Sequence, residues 1–292
     1  MKNTTLVTAI ALACTFTTTA FADFPNVVID SKVVLNYEQE IDLTSAISVP
    51  TVDISEYAAN ISVNQFNHDS PVSAVGNVID NQPTGANGET ITDIHVDVSA
   101  IGNNASVNIA TDNMVIGNVQ GNQNGGATAI GNINNNRIDL GEITNEDGEL
   151  VDGLVELNVT AVGNNLSIKA LDDVNLAGTT LGSMQFNYDS PVTASGTITG
   201  NGFGVAPANP NTPPVVVTPV PPGNDPKLQV SAIGNNLSAP LGTVGSMTQI
   251  NRNSPISASG LVSSNLGNIG PIDVDVTAVG NNISIGAISK DD

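Results

Sequence analysis

The chain has 292 residues, with 28 acidic against 7 basic side chains and a formal charge of −21. Such a surplus repels phosphate backbones, so nucleic acid is not an expected partner. Charged residues are only 12 %, Trp is absent and Phe plus Tyr number nine, whereas Asn reaches 38 and Gly 28. A core must therefore come from Val, Ile, Leu and Ala; at 40 % hydrophobic the chain is too apolar for ordinary disorder and too poor in Lys, Glu and Arg for a helical protein.

Residues 1–22 read as a signal peptide. Lys2 gives the positive start, Leu6 to Phe16 is mostly apolar, and Ala20-Phe21-Ala22 presents small residues for cleavage before Asp23. No stretch reaches the ~18 apolar residues of a transmembrane helix. Cleavage after Ala22 leaves 270 residues and removes the only cysteine, Cys14, so the exported chain has no disulfide framework. Ala11-Leu12-Ala13-Cys14 is the competing lipoprotein reading.

Two motifs then alternate. The first is residues 96–107 (VDVSAIGNNASV), repeated at 157–168, 228–239 and 274–285, with a worn copy at 52–63. The second is residues 65–76 (QFNHDSPVSAVG), repeated at 185–196 and 249–260, with a looser copy at 120–131. Both share a kernel of an apolar residue, Ser or Thr, Ala, any residue and Gly, which falls at 58 (as Ala), 76, 102, 131, 163, 196, 234, 260 and 280. A floor of 18–20 residues between kernels, with variable excess, suits stacked coils carrying loop insertions. Within a unit the period is two: Val274, Val276 and Ala278 share one face, Asp275 and Thr277 the other. Gly and Asn tolerate positive φ, so Gly-Asn-Asn reads as a bend between two short strands.

The expected fold is all-β: a β-solenoid of about nine short strand-bend-strand coils, roughly 40 Å long at ~4.8 Å per coil. Hairpins within each unit are the alternative. The thin core would include Val98, Ala100, Val159, Ala161, Val230, Ala232, Val276 and Ala278. Like stacks on like, so Asn103, Asn104, Asn164, Asn165, Asn235, Asn236, Asn281 and Asn282, with Gln65, Gln120, Gln185 and Gln249, are expected to form side-chain ladders. The Asn-x-Ser sequons at Asn60, Asn104, Asn165, Asn236 and Asn282 follow from the repeat and are ladder residues on this reading. Residues 23–50 form an N-terminal segment and possible cap, 51–288 the repeat domain and 289–292 a tail. Loops are inserted at 79–95, 133–155 and 202–226, the last holding eight of the sixteen prolines.

Chemistry is sparse. His68-Asp69-Ser70 has the composition of a triad, but the repeat puts Tyr188-Asp189-Ser190 and Arg252-Asn253-Ser254 in the same place, which speaks for a turn. His95 stands alone, leaving no ligand set for zinc. Glu142, Glu146, Asp147, Glu149 and Asp152 are weak Ca²⁺ candidates without a calcium-loop pattern; solvated charge is the blander reading. No catalytic residue and no cofactor is expected, and the chain reads as a non-enzyme. A β-helical polysaccharide enzyme would need a repeated charged groove that six basic residues cannot supply.

The second motif sets Asn two residues after Gln and an apolar residue or Ala seven after it, as in Gln65, Asn67, Val72 and Gln120, Asn122, Ala127. With its Asn/Gln richness, export signal and lack of cysteine, the chain resembles curlin-type secreted amyloid subunits and other bacterial surface-fibre proteins with β-solenoid repeats. It departs from the curlin pattern at Ser70, Gly125, Ser190 and Ser254, where Asn is the family residue, and in the Ser-Pro that follows in three copies. The resemblance implies an acidic functional-amyloid subunit of an extracellular fibre or biofilm matrix, secreted or on the surface of a bacterium. The last unit, 274–285, is a full-strength copy with only 286–292 behind it, so Val276, Ile283 and the ladder positions are the expected self-association edge, with or without other matrix components. The alternative is a monomeric cell-adhesion protein or ligand-binding solenoid that uses its inserted loops. N-terminal sequencing of exported material should begin at Asp23; a lipid-modified start at Cys14 would establish the lipoprotein reading instead.

Overall fold

The computed structural model describes residues 27–31, 39–48, 52–56, 60–81, 91–109, 115–138, 142–144, 150–152, 155–170, 179–203, 226–240, 244–267 and 272–286. Among these the chain is all-β, and no helix is long and apolar enough to cross a membrane. In chain order the strands are β1 (Val27–Ser31), β2 (Gln39–Ser48), β3 (Val52–Glu56), β4 (Asn60–His68), β5 (Val72–Ile79), β6 (Ile91–Ile109), β7 (Val115–Gln123), β8 (Ala127–Asn134), β9 (Arg137–Ile138) and β10 (Glu142–Thr144). They continue as β11 (Leu150–Asp152), β12 (Val155–Ala170), β13 (Thr180–Tyr188), β14 (Val192–Thr199), β15 (Gly202–Phe203), β16 (Lys227–Pro240), β17 (Val244–Arg252), β18 (Ile256–Ser263), β19 (Leu266–Gly267) and β20 (Asp273–Gly286).

Three parallel sheets organise them. The first motif supplies a wall, in which β2 and β3 pair with β6, followed by β12, β16 and β20; the short β9, β15 and β19 extend the same sheet. The Gln-x-Asn half of the second motif forms a near return, β4-β7-β13-β17, and its kernel half a far return, β1-β5-β8-β14-β18. Among the described residues only the small hairpin β10-β11 is antiparallel, and the described strands of one unit do not pair with each other.

Like does lie over like, but the expectation that consecutive units stack is corrected. Pairing joins alternate units, 61, 71 and 46 residues apart along the wall and 55, 65 and 64 along the near return. The wall is thus five layers deep rather than nine, about 20 Å at ~4.8 Å per step. The reason is that the shared kernel performs two different jobs. In the wall, a Cβ on Gly163 would lie 2.4 Å from Gly234 O and 2.8 Å from Asn187 Oδ1. In the far return, a Cβ on Gly196 would meet Leu228 Cδ1 at 2.7 Å and Val230 Cγ2 at 2.8 Å. Identical local sequence therefore belongs to opposite sides of the core.

Gly-Asn-Asn is also not a break between strands. β6, β12, β16 and β20 run through it; the registers continue on both sides but omit the glycine pair. In β12, Val155, Leu157, Val159 and Ala161 are buried before this point and Leu166 and Ile168 after it, so the buried parity inverts. A one-residue irregularity re-aims side chains in this way. The first half of each wall strand then packs on the far return, uniting Val98, Val159 and Val230 with Ala129, Ala194 and Ile198. The second half packs on the near return, uniting Val107, Leu166 and Leu237 with Val63, Ile116 and Leu181.

The tight turns lie elsewhere. Asp69, Asn124, Asp189 and Asn253, at φ 48–53°, separate near from far return; Asp80, Asn135, Gly200 and Ser264, at φ 54–66°, follow the far return. The copy at 52–63 is realigned as well. Ser48 pairs with Ile101 and Val52 with Ala105, an offset of 53 on both sides. β1 and β2 fall within the N-terminal segment 23–50, and strand residues occupy the margins of all three inserted segments. In the looser second motif, Gly121 replaces an aromatic residue because the Phe186 ring lies over it, within 2.2 Å of where a Cβ would sit.

Gly196→Val should lower stability by about 2–3 kcal/mol in denaturant melts through overpacking against Leu228 and Val230. Gly182→Ala, with nothing within 4 Å, should leave the midpoint unchanged or slightly raised.

Candidate assembly site

The two apolar clusters meet at a partition of amides, and this partition leads to the ends of the stack. Asn103 Nδ2 donates to Asn164 Oδ1 (2.7 Å), Asn164 to Asn235 (2.7 Å) and Asn235 to Asn281 (2.8 Å). The neighbouring column runs the other way: Asn282 donates to Asn236, Asn236 to Asn165 and Asn165 to Asn104, each at 2.7 Å. Gln249, Gln185 and Gln120 donate in turn along a third column ending at Gln65, at 2.7–2.8 Å. Each Gln Nε2 also donates to a wall carbonyl, Asn104 O, Asn165 O, Asn236 O or Asn282 O, which ties the return to the wall.

Two further columns lie outside the expected ladder set, one within this network and one apart from it. Asn122 Nδ2 donates to Asn187 Oδ1, and Asn187 to Asn251, each at 2.8 Å, while the same amides reach the wall carbonyls of Gly163 and Gly234. Asn81, Asn136, Asn201 and Asn265 form the other, each donating through backbone N and Nδ2 to the next Oδ1. A signal for it exists in the sequence: Asn recurs five residues after the far-return glycines Gly76, Gly131, Gly196 and Gly260.

The columns terminate differently at the two ends. At the first, Asn67 Nδ2 and Oδ1 and Asn103 Oδ1 are buried without partners among the described residues. At the second, Gln249 Oε1 lacks a partner, and Asn281 Nδ2 reaches only Gln249 O at 3.4 Å. β20 is the last wall layer. Val274, Val276, Ile283 and Ile285 are 42–45 % exposed there, although Leu228, Val230, Leu237 and Ala239 in the same columns are buried. The expectation that Val276 and Ala278 are core is corrected for this reason: nothing among the described residues lies over them.

His68-Asp69-Ser70 forms a turn. Asp69 adopts φ 53°, Ser70 Oγ donates to His68 O (3.1 Å), and Ser190 and Ser254 repeat that bond beneath Tyr188 and Arg252. His95 lies on the outer wall face with Nε2 3.3 Å from Asp97 Oδ2 and 3.9 Å from Glu156 Oε2. Of the weak Ca²⁺ candidates, Glu142 and Asp152 are register partners in the β10-β11 hairpin, and Glu146, Asp147 and Glu149 lie outside the described residues. Among the described residues no group of three or more potential metal ligands occurs. Comparison with known proteins finds no matching family model, curated protein or solved structure.

Asn164→Ala should cost about 3 kcal/mol or more, because it orphans buried partners above, below and beside it. Asn165→Ala, in the partly buried outer column, should cost about 1 kcal/mol; comparable chemical-denaturation losses for both would contradict the buried partition as the stronger element.

Proposed function

We propose that this chain is a secreted structural subunit of an extracellular fibre or biofilm matrix, and that its successive passes are coils of a β-solenoid that continues from one molecule into the next. The observation that carries the reading is the open β20 layer, whose apolar side chains stand exposed in columns that are buried one layer earlier. A parallel edge of this kind is a template for another strand.

The fitting strand is the opposite end of the same wall in a second copy. Carrying the register one step past β20 sets Leu43 beside Val274, Ile47 beside Ala278, Val52 beside Ile283 and Ile54 beside Ile285. The two ends are stepped compatibly. β1 stands one layer outside β5, and β20 one layer outside β16, so when β20 meets the next β2 and β3, the next β1 falls beside β18. One layer of the near return stays open there, next to Gln249. This contact is heterologous and does not close, so it propagates as a filament. The signal-peptide reading of residues 1–22 places assembly outside the cytoplasm.

The protein beginning at Asp23 should form filaments with a ~4.8 Å reflection along the axis. Val276→Asp with Ile283→Asp should yield a soluble β-rich monomer that forms none. A wild-type protein that stays monomeric at high concentration, with β20 amides as protected from hydrogen exchange as those of β12, would refute the fibre reading and favour a monomeric adhesin.

A further inference from the structure

Along the wall, one column of register positions reads Asp42, His95, Glu156, Lys227 and Asp273 from first layer to last. Every step within the molecule sets an acidic residue against a basic or protonatable one. Opposite charges directly across a strand pair stabilise it and like charges destabilise it. Extending the register past β20, as in the proposed joint, puts Asp42 of the incoming copy beside Asp273. In this column, that is the one step at which two carboxylates meet.

From this we infer that the joint between subunits is gated by proton uptake: the Asp273–Asp42 pair holds copies apart near neutral pH, and mild acid releases the block. The inference rests on the end-to-end reading above and specifies what controls it. The surrounding groups act in the same direction. From β16, Lys227 and Gln229 flank Asp273; on β20 itself Asp275 lies two residues on, facing Thr44 of the incoming strand. The incoming β2 also carries Glu40, opposite Asp93 across a register shift, and its Asp42 lies beside His95 of β6. The balance of the joint is therefore acidic. Bringing two carboxylates together favours retention of one proton between them, so the joined state binds more protons than the separated copies. By linkage, assembly strengthens as pH falls and weakens as it rises.

The chain's overall charge of −21 would by itself make association easier in acid, so the test must separate a local pair from the global field. Asp42→Asn and Asp42→Lys remove or reverse one partner at the joint. Asp189→Asn removes the same unit of charge at a turn where Asn124 and Asn253 already hold the equivalent position. Critical concentrations for seeded filament growth of the protein beginning at Asp23 would be measured between about pH 5 and pH 7.5, spanning the range between carboxylate and histidine titration and neutrality. The expected result is that both Asp42 variants lower the critical concentration at neutral pH about five- to tenfold and flatten its pH dependence, whereas Asp189→Asn behaves as wild type. Equal shifts for Asp42→Asn and Asp189→Asn, or none in either, with wild-type filaments still forming, would overturn the gate and leave the fibre reading intact. Absence of filaments from wild type and variants at every pH would overturn both.

Discussion

A buried amide has two donors and one strong acceptor, and in a dry interior each must find a partner or cost on the order of 1–3 kcal/mol. Parallel in-register stacking solves this for a whole column at once, because every Asn or Gln donates to its own counterpart one layer away. Asn164 illustrates the density: its Oδ1 accepts from Asn103 and Asn122, and its Nδ2 donates to Asn235, Asn187 and the Phe186 carbonyl. Such a column has a direction, and dipoles aligned along it reinforce one another. It also specifies register more sharply than Val or Ile can, since a slip of one residue would set amides against methyl groups.

The same requirement explains the glycines and the split core. Asn122, Asn187 and Asn251 fill the space that a Cβ on Gly102, Gly163 and Gly234 would need, and from there they reach the wall carbonyls of Gly163, Gly234 and Gly280. The amides occupy the middle of each pass, leaving the apolar side chains in two clusters, one on either side. Neither cluster contains more than one aromatic residue, Phe203, and neither needs one: small β-branched side chains repeat at the stacking distance and fill the space layer by layer.

A stack built this way satisfies its middle and leaves its ends in debt. Among the described residues, Gln249 at one end and Asn67 and Asn103 at the other keep buried amide atoms without a partner. The interior therefore contains the specification of its own continuation, as the apolar positions of β20 do in a different currency of interaction. Charge modifies the outcome. The outer wall column alternates in sign within the molecule, so the surface that most resembles an interior layer is also where the pattern of signs ends, at Asp273.

Much of this was legible in the residues. Period-two alternation identified strands, recurrence of whole motifs identified stacking, and identical Asn and Gln positions identified the three amide columns through Asn103, Asn104 and Gln65. The Asp-Ser turns were recognisable because His68, Tyr188 and Arg252 interchange while Ser70, Ser190 and Ser254 do not. What local sequence could not express was which repeat lies over which. The kernel around Gly163 and that around Gly196 read alike, yet one must accept an Asn amide from across the core and the other must clear Leu228 and Val230. Only when wall and return face each other do these become different sites, and that doubles the period, turns Gly-Asn-Asn from a corner into an inversion of the buried face, and moves the tight turns to Asp69 and Asp80. Composition and repetition by themselves decided that like would stack on like; the packing of one wall against two returns, with amide columns between them, decided how far apart in the chain the like residues had to be.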